Sequence, residues 1–377
     1  MMKIAVLATS RKKHEQRRPI HPEHLTLIPE EVRKQMFFEQ GYGLPFGLSD
    51  EEIGGLVGGI DCRETLLREA DLVILAKPLA EDAEAMKFGA TLWGWVHCVQ
   101  GQAITQAAID RKLNYITWEM MNHWGEDGSF RSHIFYANNQ LAGYAAVFHA
   151  LALKGFDGYF GPRKRVILIN TGQVSQGALR ALSAQGFTDI TVLGLQEPSL
   201  IPNEFSGIRF YTLESGKDEA LQARNSDGEC VPLIHLLGDA EIIINGIFQN
   251  PLNPYLFVRK GEELLLKRNA LIIDVSCDAG MGFHFAHATS FDKPIIRIGQ
   301  LDYYAVDHTP SYLWHSATWQ ISEALIPYLP TVLSGPSAWQ ADPVIHRAIE
   351  IQNGEVKNAA ILAFQERRSQ YPHEVAL

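Results

Sequence analysis

The sequence predicts an α/β protein of two doubly wound domains with parallel sheets, linked by long helices around a cleft. Three observations predict it. The 377 residues exceed what one small core needs and suit two domains. Short apolar runs recur, each followed by a polar or glycine-bearing turn and then a helical pattern. Those runs are continuous rather than alternating, as strands covered on both faces require.

In chain order, KIAVLAT, QMFFEQG, DLVILAK, TLWGWVH and NYITWEM read as strands in the first 140 residues. RVILIN, DITVLG, EIIING, ALIIDVS and KPIIRIG read as a second series between about 160 and 300. From Ala137 to Lys154, Leu141, Tyr144, Ala145, Phe148 and Leu151 fall at helical spacing. Ser311 to Leu329 does the same with Ala317, Ile321, Leu325 and Ile326, after a Thr309-Pro310-Ser311 start. These two helices flank the second series and are the expected crossings. Residues 1–140 with 308–377 are read as one domain, and residues 141–307 as the other. Past residue 330 a Pro- and Gly-containing stretch leads into a helix returning to the first domain, and SQYPHEVAL closes the chain as a loose tail.

Composition excludes several classes. Hydrophobic residues at 46% with 20% charged describe a globular chain, not a disordered or fibrous one. A net charge of −10 opposes a nucleic-acid surface, which needs a positive field. MMKIAVLATSRKK is apolar for too short a run to be a signal core or a membrane span. Cys62, Cys98, Cys230 and Cys277 lie far apart without a C-x-x-C pair, so the expectation is a cytoplasmic protein without disulfides. His284 and His287 form H-x-x-H with nothing nearby to complete a ligand set, and no metal is expected.

RVILINTGQVSQGALRAL carries the most information. A buried strand ends at Asn170, Gly172 allows a tight turn, and Gly177 opens a helix. A strand, a glycine turn and a helix aim free backbone N–H groups at one point, where a pyrophosphate sits in Rossmann-like domains. Against G-x-G-x-x-G the first glycine is replaced by Asn170, which tolerates a left-handed backbone, and the third by Ser175. A helix start with no ligand is the plain alternative. No acid stands at the end of the next strand, Leu193-Gly194-Leu195-Gln196, and Glu197 comes one place late. Nothing there repels a ribose 2′-phosphate, which tilts the reading to NADP and leaves NAD open.

Lys77 ends DLVILAK and His97 ends TLWGWVH, with a helical segment between them. Successive parallel strands put their carboxyl ends on one rim, and Arg17 follows the first strand onto the same rim. An Arg clamps a carboxylate in bidentate fashion, while a Lys and a His exchange protons near neutral pH. Taken singly, Arg17 reads equally well as a solvated charge, Lys77 as a strand end and His97 as a core histidine. In the other domain Asp274 reads as a turn cap. Asp278 can accept a hydrogen bond at the nicotinamide end.

With these residues in place the chain resembles the alanine dehydrogenase superfamily, and within it N5-(carboxyethyl)ornithine synthase and lysine-forming saccharopine dehydrogenase. EQRRPIHPEHL, EQGYGLPFGLSDEEI, LAKPL, GWVHCVQGQ, LAGYAAV, TGQVSQGA, INGI, IIDVSCDAG and VDHTPS follow in that family's order. The resemblance implies that Lys77 and His97 are catalytic and that Arg17 binds a substrate carboxylate. It adds Glu119 and Arg131 to the substrate pocket. It further implies that Gly172, Gln173, Val174 and Gly177 bind the dinucleotide, and that Asp278 and the His308 loop border the nicotinamide. The chain departs from alanine dehydrogenases in its thinner glycine motif and missing acid. Its D-H-x-P-S form looks more like saccharopine dehydrogenase, and QVSQGA with INGI more like the carboxyethylornithine enzyme. Both of those join an amino group to a 2-oxo acid, which favours an NAD(P)H-dependent, opine-type condensation of a 2-oxo acid (pyruvate or 2-oxoglutarate) with an amino-acid amine (ornithine or lysine). Alanine formation from pyruvate and ammonia, and a non-catalytic nicotinamide-binding sensor, are the rivals. Small molecules are the expected partners, with no nucleic acid and no membrane; subunit number stays open, a homo-oligomer included.

Overall fold

A computed structural model describes residues 2–195, 207–215, 221–247, 249 and 254–375. The chain divides into two compact units, residues 1–136 with 314–377 and residues 137–313. The first begins with β1 (Ile4–Val6), β2 (Met36–Glu39), β3 (Gly59–Asp61), β4 (Leu72–Ile74), β5 (Thr91–Gly94) and β6 (Asn114–Thr117), followed by the hairpin β7 (Asn122–Trp124) and β8 (Phe130–His133). The second unit holds β9 (Val166–Ile169), β10 (Ile190–Gly194), β11 (Arg209–Ser215), β12 (Leu221–Asn225), β13 (Cys230–Pro232) and β14 (Ile242–Asn245). It continues with β15 (Leu256–Val258), β16 (Leu271–Asp274), β17 (Gly282–Phe283), β18 (Ile295–Ile298) and β19 (Leu301–Tyr304). On return, the first unit adds β20 (Ile349–Gln352) and β21 (Glu355–Val356).

Among the described residues the first sheet runs β21-β20-β6-β5-β4-β1-β2-β3, and the second β13-β12-β11-β10-β9-β14-β16-β19-β18. Each contains six parallel strands in the doubly wound order, reversing between β1 and β4 in one sheet and between β9 and β14 in the other. Ligands of such folds bind outside the carboxyl ends of the strands at that reversal.

The continuous apolar runs work as expected. In the first sheet Ile4, Val6, Ile74, Trp93 and Ile116 enter one core, and Ala5, Val73, Leu92 and Tyr115 enter the core on the opposite face. In the second, Ile167, Ile243 and Ile272 face one core and Val166, Ile244 and Ile273 the other. Each fully buried Ile or Leu contributes about 1.5–3 kcal/mol.

The doubly wound class holds, with parallel-dominated sheets whose edges are antiparallel: β12 and β13 extend the second sheet, and β20 and β21 the first. Three expectations are corrected. KPIIRIG forms β18, an antiparallel edge of mostly half-buried residues; the buried parallel strand beside β16 is the following LDYY. Past residue 330 the chain makes short helices and then β20 and β21 rather than one helix. Finally, the tail is held: His373 is 3% exposed and its Nε2 accepts the Val356 N–H at 3.1 Å. Among the described residues no helix is long and apolar enough to cross a membrane, and no disulfide joins the cysteines.

Candidate active site

In the second unit, β9 is buried throughout and ends at Asn170, whose φ of 88° is the left-handed turn that the first motif glycine would supply. Its amide Nδ2 donates to the Gly246 carbonyl at 3.2 Å, tying the ends of β9 and β14 together at the reversal point. Gly172 is the N-cap of the Gln173–Ala184 helix and offers no side-chain cap, so the first turn keeps its N–H groups for a ligand. Among the described residues a Cβ on Gly172 would meet only the Asn170 amide, at 3.1 Å. Ser175, in the third glycine position, is buried, and its hydroxyl donates to the Ile169 carbonyl at 3.4 Å. These features fit a pyrophosphate at the helix start.

Gly177, Gln173 and Val174 have a packing role as well. A Cβ on Gly177 would lie 1.7 Å from the Gln140 carbonyl, and one on Gly143 would lie 1.8 Å from the Val174 carbonyl. The Gln173 side chain accepts from Gln140 Nε2 at 2.7 Å. The Tyr136–Lys154 helix therefore crosses the Gln173–Ala184 helix at backbone contact. Gln196 and Glu197, on which the NADP reading turned, lie outside the described residues.

Asp274 is more than a turn cap. Fully buried at the end of β16, it accepts from Tyr303 Oη at 2.7 Å, Asn245 Nδ2 at 2.9 Å and the Cys277 N–H at 3.1 Å. Burial pushes its carboxyl up to about 6. Asp278 is half-buried, and burial also raises it. His308 is buried, with Nδ1 2.6 Å from Asp307 Oδ1 and its ring edge-on to Phe291.

In the first unit, Lys77 and His97 each lie three residues beyond the ends of neighbouring strands, β4 and β5, paired Ile74 to Trp93. That equal overhang brings Lys77 Nζ to 2.5 Å from His97 Nε2. A hydrogen bond between two nitrogens needs one donor and one acceptor, so one of the two donates and the other accepts. His97 takes a left-handed φ of 53°. Its N–H donates to Glu119 Oε1 at 2.5 Å, its carbonyl accepts the Gly101 N–H at 3.0 Å, and its ring Nδ1 lies 3.9 Å from Glu119 Oε1. A non-glycine residue held at positive φ by such contacts is a mark of a functional turn.

Glu119 thus sits beneath His97 as its anchor. Its side chain is 21% exposed, but Oε2 is shut off from solvent and finds no partner among the described residues. Burial, and then the Glu350 carboxylate, push Glu119 from the ordinary 4.5 up to about 8. Such an acid binds more protons folded than unfolded, so the stability it contributes falls as pH rises from about 4.5 toward 8 and levels off above. Glu119→Gln is expected to flatten that part of the melting-temperature profile; coincident profiles for wild type and variant would refute the protonated state.

Arg17 is held in a bidentate grip by Glu15. Arg17 Nε donates to Glu15 Oε1 at 2.8 Å and Nη2 to Oε2 at 2.6 Å, both side chains being buried, with the guanidinium 4.7 Å from the Trp95 ring centre. Arg131 is exposed on the β7–β8 hairpin, facing Asp127. The same hairpin approaches Glu119 through His133, whose Nδ1 accepts the Phe135 N–H and whose Nε2 meets the Glu119 carbonyl at 3.2 Å. Burial lowers His133 to about 4, so it stays neutral there. Sequence reasoning missed Glu15, Asn245 and Glu350. Two residues from Arg17, Glu15 was open to notice; Asn245 and Glu350 carry no local signal.

Residues 235–359 match the family model described as alanine dehydrogenase/PNT, C-terminal domain. The chain is 26% identical over 328 residues to N(5)-(carboxyethyl)ornithine synthase of Clostridium botulinum, covering 81% of this chain and 90% of that protein. It is 22% identical to alanine dehydrogenase of Mycobacterium tuberculosis, covering 69% of each. Among solved structures, an L-alanine dehydrogenase superposes with a TM-score of 0.77 at 17% identity, over 96% of this chain and 99% of the other. A transhydrogenase from Sinorhizobium meliloti gives 0.70 at 14% identity, over 95% and 100%. The fold is that of alanine dehydrogenase, two Rossmann-like domains.

Proposed function

We infer that this chain, sharing the alanine dehydrogenase fold, is a nicotinamide-dependent oxidoreductase of opine type. It joins a 2-oxo acid to the amine of an amino acid, releases water and yields a secondary amine. The 2.5 Å contact between Lys77 and His97 carries the reading, because condensation needs two proton transfers at one carbon and this pair supplies a donor and an acceptor. The higher identity to N(5)-(carboxyethyl)ornithine synthase, 26% against 22% to the alanine dehydrogenase, supports an amino-acid amine over ammonia. A reduced nicotinamide at the Gly172 turn supplies the hydride.

Lys77 Nζ delivers a proton to the oxo oxygen as the amine adds, and His97 Nε2 takes the proton that the amine nitrogen gives up. The same two nitrogens then return a proton to the hydroxyl so that it leaves as water. Glu119 keeps the His97 turn in place through its N–H. Arg17, its charge already matched by Glu15, offers the oxo-acid carboxylate a fixed guanidinium backed by Trp95. Its replacement tests this: Arg17→Ala is expected to raise the KM for the oxo acid by about 10²-fold, the size of a lost charge-assisted pair. An unchanged KM removes Arg17 from the substrate.

The deciding assay supplies pyruvate or 2-oxoglutarate with ornithine, lysine or ammonia and with NADH or NADPH, and identifies products by mass spectrometry. Secondary amines from the amino acids are expected. Alanine alone would assign the simpler ammonia-using reaction, and no product with any pair would point to a nicotinamide-binding sensor.

A further inference from the structure

The C-terminal strand β20 joins the first sheet antiparallel to β6, with Ile349 opposite Ile116 and Ile351 opposite Tyr115. Two steps on β20 thus span one step on β6, and Glu350 is the extra residue of a bulge. Bulges re-aim side chains beside functional sites. This one turns a carboxyl group inward, where it is only 2% exposed. Glu350 Oε1 accepts from Asn358 Nδ2 at 2.7 Å, and Cys98 and Thr117 lie near enough to act on its carboxyl. Cys98 follows His97 directly, and Thr117 precedes Glu119 by two residues. Among the described residues Glu350 Oε2, like Glu119 Oε2, is buried without a partner. Two buried carboxyls that interact cannot both ionise cheaply.

A second contact ties the same segment to the same turn. Gln365 Nε2 donates to the Cys98 carbonyl at 2.6 Å and lies 3.2 Å from that of Val99, and Arg367 holds the Gln365 amide oxygen at 2.6 Å.

We propose that Glu350 is a positioning residue that fixes the charge of Glu119 beneath His97, so that the C-terminal segment sets the pH range over which the Lys77–His97 pair works. This rests on the reading of that pair as the proton-transfer centre. The groups facing Glu119 are Lys77, His97, Cys98, His133 and Glu350. Those around Glu350 are Cys98, Thr117 and Asn358, with His346, Arg347 and Lys357 lining a cavity of about 510 Å³ on its outer side. With Glu350 anionic, Glu119 holds its proton and is neutral toward His97. With Glu350 made neutral, Glu119 ionises at lower pH and favours the imidazolium 3.9 Å away.

The test is the His97 titration, followed by NMR of histidine-labelled full-length protein without substrate and assigned by the signal lost in His97→Gln. Glu350→Gln is expected to move it upward by about one pH unit. In a Glu119→Gln background the same substitution is expected to add nothing. The turnover profile of Glu350→Gln should shift the same way, while Gln365→Leu, which loosens the turn without altering charge, should lower turnover and leave the profile in place. An unmoved His97 titration in a Glu350→Gln protein whose melting curve shows it folded would overturn the proposal, as would an equal shift with Glu119 already replaced. Because the titration needs no substrate, its outcome is independent of the product assay: a shifted titration in a chain making no secondary amine would sink the functional reading alone.

Discussion

Replacing Lys77 with Met is expected to lower turnover by about 10²–10⁴-fold, the range of a lost general acid or base, while dinucleotide affinity stays within about twofold of wild type. In barrier terms this is roughly 3–5 kcal/mol. The expectation follows from the two roles of the 2.5 Å contact. Without Nζ, the oxo oxygen loses its proton donor, and His97 Nε2 loses the partner that fixes its tautomer. His97→Gln is expected to fall in the same range. The double variant should be scarcely worse than either single one, because residues that act as a unit give strongly non-additive losses. Steady-state turnover with the best oxo-acid and amine pair, alongside a fluorescence titration of reduced dinucleotide, checks both halves. A Lys77→Met protein with more than a tenth of wild-type turnover would end the assignment; so would two losses that simply multiply.

Gly177→Ala is expected to damage stability and dinucleotide binding together. A helix normally gains from this change by about 1 kcal/mol, through intrinsic propensity. Here the new methyl group would sit 1.7 Å from the Gln140 carbonyl, which belongs to a backbone that cannot swing aside. Helix must move from helix, and overpacking of this kind costs about 1–3 kcal/mol or more. The displaced element is the one whose first turn is proposed to hold the pyrophosphate, so affinity should fall along with the melting temperature of residues 137–313. Gly172→Ala is the control. Its φ of −67° suits alanine, and among the described residues an added methyl group meets only the Asn170 side chain, at 3.1 Å. It should melt like wild type yet bind dinucleotide about tenfold more weakly, because the methyl group stands where a phosphate must come close to backbone. Calorimetric melts and dinucleotide titrations of both variants separate the two effects; equal behaviour of the pair would refute the distinction.

The parts of this molecule that could be read from the sequence are those encoded over a few residues. KIAVLAT, DLVILAK, TLWGWVH and RVILIN are uninterrupted apolar runs, and such runs become parallel strands with a core on each face because nothing else hides both sides. Asn170 and Gly172 announce a turn through their own backbone freedom. Lys77 and His97 were placed on one rim because two consecutive parallel strands leave little choice. LDYYAVD was passed over for KPIIRIG because period and composition do not distinguish a central strand from its antiparallel neighbour; only the pairing of Leu271 with Asp302 does.

The chain alone determined the doubly wound class, the glycine turn and the lysine–histidine rim, since each depends on local patterning or on neighbouring strands. Tertiary structure alone decided that Arg17 is already gripped by Glu15, that Gly177 serves helix contact, and that Glu350, 231 residues beyond Glu119, shares its buried surroundings. The physical reason is range. Backbone preference and hydrophobic period act over one element, whereas the charge of a buried carboxyl depends on whatever folding brings within a few ångströms.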